Sequence, residues 1–326
     1  MSGLGYFLGY ILGFFLDVTQ NYGLAMILFT ISINVLMIPM VIKRQKSLAT
    51  TTRLSKKQNE IKKKYANDRK KIEEETAKLY QKEGYNPMGG CLIMFVPIII
   101  LFGVIGTVFS PLKNTLHLPA DKVKQASILL SEIPGIENNT SSRYDEISII
   151  TLFPAIKEQL TMFNEEELQS IEEFSKSFNF LGLDLLATPK TSSWSSMLWV
   201  IPLFCLIVPT ISTFITQKLQ NDPSQQNQPG CMKYSMYFIP LMSVWISYTV
   251  PAAVGFYWII NGACQAIQTI TVNHFYSPKI LTAKSEIARI KLLEQQEQQE
   301  EKRLSPKHIE ENEDKNANKG KKKRRN

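Results

Sequence analysis

Histidine and cysteine are scarce in this chain of 326 residues, which holds three of the first and four of the second. Cys91, Cys205 and Cys264 fall within or beside apolar stretches and Cys231 in a polar loop, so neither a disulfide framework nor a zinc spacing is present. His117, His274 and His308 belong to no constellation, and no nucleophile motif or phosphate-binding glycine loop accompanies them. The chain is therefore expected not to be an enzyme, and no cofactor or metal is expected. Charge is missing too, and locally: windows 24–42, 90–108, 197–215, 234–250 and 253–272 contain no Asp, Glu, Lys, Arg or His.

Each of these windows has about 17–20 mostly apolar residues, enough for a helix to cross ~30 Å of hydrocarbon. Buried core helices of water-soluble proteins have shorter, amphipathic runs. The expectation is an all-α polytopic membrane protein with five transmembrane helices. Residues 43–89 hold 14 Lys/Arg against 6 acids, and the tail from 274 holds 14 against 9. Residues 109–196 have 7 against 12, and residues 1–23 have no Lys or Arg. Basic segments stay on the cytoplasmic side, so the N-terminus is expected outside and the C-terminus inside, as an odd span count requires.

Between the spans, residues 43–89 read as a cytoplasmic helical hairpin broken around "YANDR" and stopped by Gly84 and Pro87. Leu54 and Ile61 stand seven apart, as do Ile72 and Leu79, so each arm has one narrow apolar stripe. Residues 109–196 read as a small helical cap on the outer face, and 216–233 as a cytoplasmic loop. Residues 1–23 read as an interfacial helix with Tyr6 and Tyr10 at headgroup level, the alternative being a signal peptide. The tail, 274–326, begins helical and ends in "NANKGKKKRRN", a segment with no apolar face that suits binding RNA or anionic lipid.

The apolar windows are not uniformly apolar. Tyr257, Asn261, Gln265 and Gln268 fall at i, i+4, i+8 and i+11, one stripe of a helix. Thr30 and Asn34 repeat the i, i+4 spacing in the first window, with Ser32 between them, and Thr213 and Gln217 repeat it at the end of the third. Such amides either bond helix to helix, at ~0.6–2 kcal/mol each, or line a water-filled cavity. Residue types alone favour the first.

Several stretches, in order, resemble the YidC/Oxa family of membrane protein insertases in its short, five-span Gram-positive form. They are "NYGLAMILFTISINVLMIPMVIKRQKS", "YQKEGYNPMGGCLIMFVPIII", "FNFLGLDLL" and "YSMYFIPLMSVWISYTVPAAVGFYWIINGACQAIQ". The resemblance implies an insertase and chaperone of a bacterial cytoplasmic membrane. It would take nascent membrane-protein clients into a hydrated groove open to cytoplasm and lipid. It implies contact with membrane lipids and with the ribosome, through the hairpin and tail, and work beside a Sec-type translocon. It moves the polar side chains of Thr30, Ser32, Asn34, Thr213, Gln217, Tyr257, Asn261, Gln265 and Gln268 towards the cavity role. Relatives usually place a basic residue where Asn34 stands, so this groove is expected to hold water there rather than charge. A solute transporter or channel is disfavoured, for want of an intramembrane ionisable residue or an inverted repeat.

Overall fold

The computed structural model describes residues 2–66, 68–83, 87–133, 144–220 and 241–304. Nearly all regular structure there is helical, with one two-stranded antiparallel ribbon, Asn179–Phe180 against Leu183–Asp184. Helix α1 (Ser2–Thr19) packs on α2 (Tyr22–Leu36) and on α5 (Pro87–Phe109), burying Leu8, Leu12 and Leu16. The approach is close because Gly9 has no side chain. A Cβ there would lie 1.8 Å from the Asn114 carbonyl oxygen. Tyr6, Phe7, Tyr10 and Phe14 occupy the exposed face of α1.

The first apolar window contains two helices. Helix α2 ends at Leu36, and α3 (Ile38–Lys64) restarts with a bend of 46° between them. Pro39 stands in the first turn of α3 and has no N–H to give the carbonyl of Val35, so a straight helix cannot continue through it. Helix α3 runs on into the basic hairpin, whose second arm is α4 (Arg69–Lys82). Asp68 caps α4 by accepting from the Lys71 N–H, and Lys57 meets Glu83 at 2.6 Å across the arms. Leu54 is buried, whereas α4 buries no residue fully. Gly84 lies outside the described residues. Pro87 opens α5, the position where a missing N–H costs least.

The segment between the second and third windows folds over α2. It contains α6 (Pro111–Asn114), α7 (Ala120–Glu132), α8 (Asp145–Ile156), α9 (Glu165–Ser177) and the ribbon, and residues 134–143 lie outside the described set. Asn164 and Glu167 form a reciprocal capping box at the start of α9. The Lys122 ammonium meets Glu167 at 2.7 Å, and Lys113 meets the buried Glu146 at 2.9 Å. Tyr22, at the start of α2, is fully buried and stacks on Phe178 with ring centroids 4.2 Å apart.

Helix α10 (Val200–Gln220) packs along α12 (Ala252–Phe275), and α13 (Pro278–Leu304) follows and packs on α3. Between α10 and α12 the described residues 241–249 are helical and are labelled α11. Gly255 permits the close approach of α10, since a Cβ there would lie 2.5 Å from Ile201 Cγ2. The cytoplasmic loop expected over 216–233 lies outside the described residues from 221 on, as do 234–240 of the fourth window and 305–326 of the tail. Among the described residues, Met197–Leu219 is the one helix long and apolar enough by itself to cross a membrane. The bent pair Tyr22–Leu36 and Ile38–Ser47 qualifies together. The polar stripe lowers the hydropathy of α12 although the helix runs 24 residues.

Candidate functional site: an amide-lined cavity

The stripe on α12 and the middle of the bent α2–α3 pair face each other across a cavity of about 290 Å³. Its polar wall is Asn34, Tyr257, Asn261, Gln265 and Gln268, joined by Thr216, Thr269 and Arg44. Its apolar wall is Ile33, Met37, Met40, Val41 and Ile100. The bend before Pro39 lets Asn34 on α2 and Arg44 on α3 reach the same space.

The expected site residues divide into two groups. Asn34, Tyr257, Asn261, Gln265 and Gln268 are brought together at the cavity. Thr30 is buried and donates to the Met26 carbonyl at 2.6 Å, and Ser32 is half-buried away from the lining. Thr213 donates to the Pro209 carbonyl at 2.8 Å, and neither it nor Gln217 lines the cavity; Thr216 does. Thr30 and Thr213 thus return their hydroxyls to the preceding turn of their own helices, a common fate of Thr in an apolar helix.

Asn34 both bonds helix to helix and lines the cavity. Its Nδ2 donates to the Thr30 carbonyl at 2.9 Å and to Asn261 Oδ1 at 3.1 Å, joining α2 to α12. The Gln268 amide donates to the Asn34 carbonyl at 2.5 Å, and Gln45 donates to Asn273 Oδ1 at 3.3 Å further along. Polar capacity is left over. Among the described residues Asn34 Oδ1, Asn261 Nδ2, Gln268 Oε1 and the whole Gln265 amide accept or donate no protein hydrogen bond. These atoms can bind water or another polar chain.

Arg44, Thr216 and Thr269 escaped the sequence reading. Thr269 continues the α12 stripe four residues past Gln265. Asn34, Met37, Val41 and Arg44 follow one another at helical spacing, so the signal was there but ran past the end of the apolar window. Arg44 is the one charged residue of the lining, and among the described residues no carboxylate pairs with it.

The other end of the two cavity helices is dry and tied to the cap. The first N–H groups of α12 have no partner within their helix. The Ala252 N–H donates instead to the Ala187 carbonyl at 2.9 Å, and the Ala253 N–H to the Leu185 carbonyl at 2.8 Å. Asn21 caps α2 by accepting from the Leu24 N–H, and its own amide donates to the Asn179 carbonyl at 3.0 Å. Phe29, Ala252, Ala253 and Val254 are fully buried between the cap and the cavity.

Comparison with known proteins gives the family. The family model described as "60Kd inner membrane protein" matches residues 14–279. A protein of Caldanaerobacter subterraneus subsp. tengcongensis called "Membrane protein insertase YidC" is 26% identical over 268 residues, 82% of this chain and 93% of its own length. One of the same name from Treponema denticola is 23% identical over 266 residues, 82% of this chain and 36% of its own. A third, from Fusobacterium nucleatum, is 35% identical over 114 residues, 34% of this chain and 53% of its own. The match runs from α1 to the start of α13 and takes in every residue of the cavity wall, and on it the chain belongs to the 60Kd inner membrane protein family, the YidC/Oxa family whose motifs it carries.

Proposed function

We propose that the protein is a membrane protein insertase and chaperone of a bacterial cytoplasmic membrane, and that the amide-lined cavity is the groove through which clients enter the bilayer. The carrying observation is that four amides and one guanidinium surround a single cavity and keep hydrogen-bonding atoms that no described protein group satisfies. In this reading the chain crosses the membrane five times, at 24–42, 90–108, 197–215, 234–250 and 253–272, with the N-terminus outside. Two features support the placement. One is the Lys/Arg distribution. The other is the row of exposed apolar residues Leu24, Leu28, Ile31 and Val35 on α2, with Leu203, Ile207, Ile211 and Phe214 on α10, which would be an aggregation hazard in water and is ordinary in lipid.

A client's polar segment would bring unsatisfied backbone and side-chain groups into hydrocarbon at a cost of several kcal/mol. The free atoms of Gln265, Asn261 and Asn34, with water, accept those groups partway across, and the dry core under the cap stops them there. The client's apolar segment then moves sideways into lipid, driven by its own burial. No nucleotide takes part. The basic hairpin and tail bring the ribosome or the anionic leaflet near the cytoplasmic mouth, and a Sec-type translocon is a further partner.

Single cysteines at 261, 265 and 268, in a protein lacking the native four, should react with a membrane-impermeant thiol reagent from the cytoplasmic side. Cysteines at 259 and 263 should stay inert. Uniform inertness would reduce the amides to helix-to-helix bonding. Insertion is read separately, as protease protection of a single-span client in proteoliposomes.

A further inference from the structure

We propose that the Arg44 end of the cavity binds the phosphate of an anionic phospholipid from the cytoplasmic leaflet. The proposal rests on the membrane placement given above, but not on the client role of the groove.

Arg44 is the only charged side chain on the lining and has no carboxylate partner among the described residues. Arg44 is open to solvent at the mouth of the cavity, beside Met40 and Val41 of the lining, and its planar fork of donors matches a phosphate. The depth narrows the choice. Arg44 stands two residues past the apolar window that ends at 42, or ~3 Å further along α3 at 1.5 Å per residue. That is the level where a lipid phosphate resides and where phospholipid is the most abundant anion.

The walls fit the same ligand. Gln265 and Thr269 offer an amide and a hydroxyl to phosphate and glycerol oxygens. On the other side, Met37 and Met40 are flexible and polarisable, suited to the first carbons of an acyl chain whose shape varies. A client carboxylate would use the guanidinium alone and leave this apolar wall without a purpose. A resting lipid would keep Arg44 paired between clients and would leave when one enters.

The test is native mass spectrometry of the full-length protein taken from mixed phosphatidylglycerol and phosphatidylcholine vesicles without client. The wild type should retain phosphatidylglycerol in preference. Arg44→Gln should weaken retention by about tenfold or more, the worth of a hydrogen bond to a charged group. Arg44→Lys should lose less, since an ammonium binds phosphate as a point charge. Lys43→Gln removes an exposed charge next in sequence but off the lining, and should change nothing. Equal losses in Lys43→Gln and Arg44→Gln would overturn the site in favour of general surface attraction. Displacement by millimolar inorganic phosphate would overturn the lipid in favour of a simple anion site. If Arg44→Gln keeps its lipid but no longer inserts acidic-tailed clients, the guanidinium serves the client and the proposal fails. Unfolding temperatures confirm that each variant is folded. Lipid retention is read without client, so failure of the cysteine pattern or of insertion would not be mistaken for failure here.

Discussion

The two ends of α2 and α12 are built from different materials. Towards the cap the helices are separated by fully buried Phe29, Met26, Ala253 and Val254, and their N-termini are fixed by hydrogen bonds to the carbonyls of 179, 185 and 187, the first from the Asn21 side chain. Away from the cap they are joined by amide pairs, Asn34 with Asn261 and Gln45 with Asn273, around open space. Apolar contact excludes water and has no alternative partner, whereas an amide pair can exchange its partner for water or a peptide at little net cost. One end is therefore a fixed clamp and the other an exchangeable one.

The comparison breaks most visibly at Tyr22. Tyr22→Ala should destabilise the protein by about 3–5 kcal/mol, as large-to-small changes of buried aromatics do, and release the cap from α2. Thermal unfolding in detergent measures it. Tyr22→Phe should be neutral or stabilising, because the hydroxyl is buried with no hydrogen-bond partner among the described residues.

At the exchangeable end the effects on stability should be smaller and those on function larger. Asn34→Leu removes one bond between helices, about 1 kcal/mol. The protein should stay folded while insertion of a client with a polar outer tail slows. Asn34→Arg should be tolerated, and should speed insertion of acidic-tailed clients in a salt-sensitive way, because the same cavity can solvate a guanidinium. An unfolded Asn34→Arg beside a fully active Asn34→Leu would show that this end is as dry as the other.

The smallest effect concerns the surface of the cap. Hydrogen bonds from Lys157 and Lys176 hold the Glu172 carboxyl at about 2, below its ordinary 4.5. A depressed folded-state value gives stability that is complete above pH 4.5 and lost as pH falls through about 2. The side chain is open to solvent, so screening keeps the contribution small. Glu172→Gln should flatten the acid limb of the unfolding curve slightly and leave neutral stability nearly unchanged.

Much of this was legible from local pattern. The i, i+4, i+8, i+11 spacing announced the stripe on α12. Thr30 and Thr213 were misleading for a physical reason, since a Thr hydroxyl can be satisfied within its own helix and then has nothing to give a cavity. Arg44 was missed because the end of an apolar window is a boundary in composition and not in the helix, which carries the same face onward.

Sequence by itself determined the helical class, the family, the separation of basic from acidic segments and the polar face of α12. Each of these is written in residue type and spacing along one segment. Only the tertiary structure decided which amides meet. The bend before Pro39 sets the directions of Asn34 and Arg44 together, and the cap carbonyls at 185 and 187 fix where α12 begins. A cavity depends on distances between segments more than 200 residues apart, 34 and 261 among them, and no periodicity within either segment encodes that distance.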